Sequence, residues 1–173
     1  MISKLPLNNS TLETDQIRKI YRETDRLGMI ILILALPLFG IIYLYHSSGS
    51  IQKDIPQLTG FFGGVLLAFS FTILLGQYLV FHQHIKKTFQ QEDLLEKVKI
   101  YAKATKQRFL FLFLVSVASS VGLLFSGNPG YVLSFALCLV FFSLAKPSPD
   151  RMVRLLKLKK EDRAILLEAA RPE

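Results

Sequence analysis

The chain has 173 residues, 51% of them hydrophobic, and carries 21 Lys and Arg against 13 Asp and Glu for a formal net charge of +8. So basic a balance in a soluble domain would raise nucleic-acid binding, but 20 of the 21 cations lie within residues 1–26, 86–108 and 146–173, with Lys53 the exception. The single cysteine, Cys138, excludes an intramolecular disulfide, a dithiol redox pair and a Cys-based zinc cluster.

Residues 1–26 are polar and mixed in charge. Ser10-Thr11-Leu12-Glu13 fits a capping box, in which a hydroxyl caps the helix start and a carboxylate reaches back. Ile17, Ile20, Tyr21 and Leu27 follow at helical spacing, so a helix from about Thr11 is expected to lead into the first apolar run. Residues 27–52 carry no Asp, Glu, Lys or Arg. A helix needs about 20 apolar residues to cross the hydrocarbon core, and Leu27–Tyr45 supplies one span, with Pro37 inside it. This run starts too late and is too long for a signal-peptide core, and no small-residue cleavage pattern follows, so the span is expected to be retained.

A short loop, Ser47–Gln57, leads to a second span near Leu58–Phe81. Here Gly60, Gly64, Ala68, Thr72 and Gly76 recur every four residues, on nearly one helix face, where small side chains let another backbone approach closely. His82 and His84 follow, beside Lys86 and Lys87. Residues two apart on a helix point in different directions, and His46 is expected at the other end of the first pair of spans, so interfacial histidines are preferred to a metal or haem site. In the loop 82–108, Leu94, Val98 and Tyr101 form a stripe, with Asp93 and Lys97 spaced for an ion pair. Two readings stay open: a helical hairpin extending the second and third spans, or a solvated connector with one helix.

The uncharged run 109–145 is too long for one crossing, and Ser126-Gly127-Asn128-Pro129-Gly130 in its middle is a turn signal. It divides into spans Phe109–Ser126 and Gly130–Ala145. Ala118, Gly122 and Ser126 continue the small-residue stride in the third span, and Gly130, Ser134 and Cys138 in the fourth. The second span is therefore expected to be the packing centre, with the first, rich in Ile and Leu, facing lipid or a partner. Pro147 and Pro149 should end the fourth span. Ser148 then suits a helix cap with Pro149 at the first helical position. The helix that follows has Met152, Leu155 and Leu156 on one side and Arg151, Arg154 and Lys157 elsewhere. A basic amphipathic helix beyond a span is expected to lie on an anionic inner leaflet; the alternative is a tail whose leucines, including Leu166 and Leu167 of a second segment Glu161–Ala170, pack on the protein.

The expected fold is all-α: an integral membrane protein with four transmembrane helices in two hairpins. It divides into a cytoplasmic N-terminal helix (1–26), a transmembrane domain (27–145) and a basic amphipathic tail (146–173). Lys and Arg accumulate on the cytoplasmic side, so both termini and the middle loop are placed there, in the cell (bacterial inner) membrane. The sequons at Asn8 and Asn9 would then face the cytoplasm and are discounted. Lys19-Ile20-Tyr21 and Lys99-Ile100-Tyr101 each precede an odd-numbered span, but nothing else aligns to support a duplication.

No Asp, Glu, Lys or Arg falls within an expected span, which argues against proton- or ion-coupled transport. No GxSxG, HExxH or phosphate-cradling glycine loop is present. No catalytic residue, cofactor, metal or nucleic-acid partner is expected. Ser70, Thr72, Gln77, Ser116, Ser119 and Ser120 would line a pore in an oligomer, although bonding to their own or a neighbouring helix is preferred. The expected role is a non-catalytic accessory or scaffolding subunit acting on a membrane-protein partner or a second copy. Its small-residue rows would serve helix contacts, and Lys86, Lys87, Arg151, Arg154 and Lys157 an anionic inner leaflet. The competing role is a small oligomeric channel or carrier for a neutral or weakly polar solute.

Overall fold

The computed structural model describes residues 7–49 and 59–171, with side chains from Thr11 onward in the first stretch. The loop around Lys53 and the side chains of Asn8, Asn9 and Ser10 lie outside the described residues. The described elements are helices: α1 (Leu7–Ser47), α2 (Gly60–Thr88), α3 (Leu94–Ser126), α4 (Gly130–Ala145), α5 (Pro149–Leu156) and α6 (Lys160–Ala169). By length and composition three of them, α1, α2 and α3, can cross a membrane, or up to four if α4 and α5 count as one broken span.

α1 is one helix of 41 residues. It begins at Leu7, so Ser10 lies inside it and not at its cap. Pro37 also lies inside; it withholds a donor from one backbone carbonyl without ending the helix. Between α2 and α3 only residues 89–93 are non-helical, so of the two open readings of this loop the helical hairpin holds. Asp93, expected to pair with Lys97, instead caps α3, its Oδ1 accepting from the Leu95 N–H at 3.4 Å. α3 ends where the turn signal stands. Gly127 takes φ +62, a left-handed conformation that glycine adopts without strain, and its N–H donates to Leu123 O at 3.0 Å. The Asn128 side chain accepts the Gly130 N–H at 2.8 Å and so starts α4. Ser148 and Pro149 occupy the cap and first position of α5 as the sequence suggests.

The chain divides into two compact units. The first comprises residues 1–27, 80–106 and 147–173, the segments rich in cations. Its core joins Ile17 of α1, Phe81 and Ile85 of α2, Leu94, Val98 and Tyr101 of α3, Met152 and Leu156 of α5, and Leu166 and Ala169 of α6. Full burial of each large apolar side chain contributes roughly 1.5–3 kcal/mol. This corrects the expectation for the tail. Met152, Leu156 and Leu166 are at most 2% exposed, so the apolar faces of α5 and α6 are spent on protein and are not left to enter lipid.

The second unit comprises residues 28–79 and 107–146. One cluster joins Leu74, Phe109, Leu112, Val115, Cys138, Phe142 and Ala145; another joins Phe39, Leu123, Tyr131 and Phe135. The Phe39 and Phe135 rings stack with centroids 3.9 Å apart, tying α1 to α4. In the most apolar stretch of each helix, 44% of α3 is buried, against 22% of α2 and 11% of α1. The packing centre is therefore α3, not the second span. α1 contributes only Gly28, Ala35 and Phe39 as buried residues here, and Ile33, Leu34, Ile41 and Leu44 remain exposed.

Candidate functional site

Within the second unit α2, α3 and α4 share a polar seam. Arg108 Nε donates to Gln77 Oε1 at 2.7 Å, and the two residues are 6% and 2% exposed. Gln77 Nε2 in turn donates to Leu74 O at 3.1 Å. Arg108 stands one residue before the third uncharged run and counts in the sequence as a loop cation. The structure instead buries it in the apolar unit. Its burial was not expected from the sequence, which places it just outside the third span. A buried guanidinium is costly without partners, and the only side-chain amide in the second span is placed to meet it. Gln77 alone in an apolar helix was the signal that could have located this contact.

Further along, Ser119 Oγ donates to Ser134 Oγ at 3.1 Å, and Cys138 Sγ lies 3.1 Å from Leu112 O. Tyr131 OH donates to Gly63 O at 2.6 Å. The other hydroxyls return to their own helices: Ser70 to Leu66 O, Thr72 to Ala68 O, Ser116 to Phe113 O, Ser120 to Ser116 O and Ser126 to Gly122 O. The seam joins helices, and its donors are turned to backbone or to each other.

The small-residue rows separate into two groups. Gly122 faces the Tyr131 ring so closely that an added Cβ would lie 2.1 Å from Cε1, and Ser126 packs on Gly63. Ser134 and Cys138 are fully buried, while Ala118 is half-buried. In α2, by contrast, a Cβ added at Gly60, Gly64 or Gly76 would meet nothing within 4 Å, and Ala68 and Thr72 are exposed. The face of α2 that packs within the chain is Gly63, Ser70, Leu74 and Gln77. The four-residue stride picked the neighbouring glycine and with it the opposite side of the helix. Close approach at Gly28, where an added Cβ would meet Phe109 Cζ at 2.5 Å, was missed because α1 has no repeating row of small residues.

Of the expected basic surface, Lys86, Lys87, Arg154 and Lys157 are exposed and Arg151 is half-buried. Lys157 sits over the Phe89 ring at 4.9 Å from its centroid. His84 Nδ1 lies 2.9 Å from Val80 O of its own helix, and His82 is exposed. Among the described residues no three His, Cys, Asp or Glu converge as a metal site. Tyr21, in the first unit, has its phenol pushed up from its ordinary value first by burial and then by the Asp25 charge.

The chain belongs to the class of all-helical proteins with several helices apolar and long enough to cross a membrane. Comparison with known protein families, with curated proteins and with solved structures finds no match to it.

Proposed function

We propose that this is a four-span protein of the cell membrane with both termini in the cytoplasm, acting as a non-catalytic accessory or scaffolding subunit. One observation carries the reading: among the described residues the row Gly60, Gly64, Ala68, Thr72 and Gly76 has no partner helix, whereas the rows of α3 and α4 are used internally. Glycine in a helix interior costs up to about 1 kcal/mol relative to alanine, and a row of them favours close approach by another backbone. A helix of another membrane protein, or of a second copy, would meet that need. The exposed Lys86, Lys87, Arg154 and Lys157 support contact with an anionic leaflet or a cytoplasmic partner through charge alone. The inward return of the seam hydroxyls speaks against the channel reading. Extraction in mild detergent should recover an unrelated membrane protein, or a second copy, in fixed stoichiometry with the chain, and Gly64→Ile should release it while leaving helicity unchanged. Solute flux in proteoliposomes holding this chain alone would overturn the proposal.

A further inference from the structure

The first unit carries a second cationic feature, distinct from the α5 surface. Arg18, Lys19, Arg22 and Arg26, with Asp15 and Glu23, line an open concavity of about 300 Å³ along α1. At 3.6 residues per turn, Arg18, Arg22 and Arg26 descend one side of the helix, with Lys19 beside them. Ile17 and Thr24, which enter the core of the unit, lie on the opposite side. The two carboxylates are drawn to neighbours: Asp15 to Arg18 at 3.7 Å and Glu23 to Lys106 at 3.6 Å. Arg18 is also held by α6, its Nε donating to Ala169 O at 3.4 Å; in net charge, four cations against two anions leave the concavity positive.

Its depth along α1 identifies what it meets. Arg26 immediately precedes the apolar stretch that begins at Leu27. With ~1.5 Å of rise per residue, Arg22 is within roughly 8 Å of that start, and the headgroup layer outside the hydrocarbon core is about as thick. If α1 crosses the bilayer, Arg22 and Arg26 stand at phosphate level on whichever side its N-terminal end faces. A bias of cations toward one side of a membrane would be met by any placement in the segment; here they converge on one concave face. Guanidinium forks match phosphate oxygens two at a time.

We propose that this concavity binds the phosphodiester headgroup of an anionic phospholipid where α1 enters the membrane. The proposal rests on α1 crossing the bilayer and not on the accessory role. It is tested by native mass spectrometry of the full-length chain released from detergent micelles doped with equal amounts of phosphatidylglycerol and phosphatidylcholine. The wild-type chain should retain phosphatidylglycerol in preference. Near an anionic surface each Lys or Arg contributes enough for roughly a fivefold preference, so Arg26→Gln should reduce selectivity by about that factor. Lys19→Gln, Arg22→Gln and Arg26→Gln together should abolish it. Removing equal charge from α3 by Lys97→Gln, Lys99→Gln and Lys103→Gln should leave it intact. Unchanged selectivity in a normally helical α1 triple variant, or equal loss in both triples, would overturn the site. Displacement of the lipid by millimolar inorganic phosphate would overturn the lipid as its ligand. Loss of co-purifying protein in the Gly64→Ile experiment bears on the accessory role and is independent of these results.

Discussion

Gln77→Leu tests whether the Arg108 contact holds the second unit together. The substitution keeps the size of the side chain but removes the acceptor 2.7 Å from Arg108 Nε and the donor to Leu74 O. At 6% exposure Arg108 has little access to water that could replace the acceptor. A hydrogen bond to a charged group contributes roughly 1.5–3 kcal/mol and a neutral one about 1. Leucine regains part of this through apolar burial, so a net loss of about 2–3 kcal/mol is expected. Thermal or SDS-induced unfolding of the full-length chain in mixed micelles, followed by far-UV circular dichroism, would read it. Arg108→Met should also destabilise, since it removes the other partner and the contacts of the guanidinium. The decisive quantity is the cycle. If the pair is coupled, the double variant should be less destabilised than the sum of the singles by about 1.5–3 kcal/mol. A coupling below about 0.5 kcal/mol, the ordinary error of additivity, would refute the reasoning.

Gly122→Val should cost about 1–3 kcal/mol in the same assay, because the new side chain overpacks a Tyr131 ring that its bond to Gly63 O holds in place. Gly64→Ala, with nothing within 4 Å, should be neutral or stabilising by up to about 1 kcal/mol; equal losses in the two variants would show that the rows do not differ in packing. Met152→Ala should destabilise the first unit by about 2–5 kcal/mol, as for a buried core residue, and hydrogen exchange should accelerate in α5 and α6 before α4. Tyr21 has a raised folded-state value, so above its ordinary value of 10.0 the unfolded chain releases its proton first. Its stabilising contribution is complete below that pH and is lost as pH rises toward the folded value; Tyr21→Phe should therefore show a shallower fall in thermal stability above pH 10 than the wild type.

Composition and the placement of charge were enough to read an all-helical chain with apolar helices of membrane-crossing length, because neither depends on which side of a helix a residue occupies. The turn at Gly127–Pro129 was legible for a local reason. Glycine supplies the left-handed residue and Asn128 supplies an acceptor for the next helix start, and both act within a few residues. The start of α5 at Ser148 and Pro149 is similarly local.

What needed the tertiary structure was the direction each helix faces. A stride of four marks a line on α2, but only the neighbouring helices decide whether that line or the one through Gly63 is used inside the chain. The amphipathic pattern of α5 suits a lipid surface and a protein core equally well, and the apolar residues offered by α1, α2 and α3 decided for the core. Arg108 reads as a loop cation from its neighbours in sequence; Gln77, 31 positions away, makes it a buried one. The sequence by itself determined how much of this protein is apolar and where along the chain, because transfer from water depends on composition. Only the packed helices decided which faces are consumed within the chain and which, like the row from Gly60 to Gly76, meet no described helix.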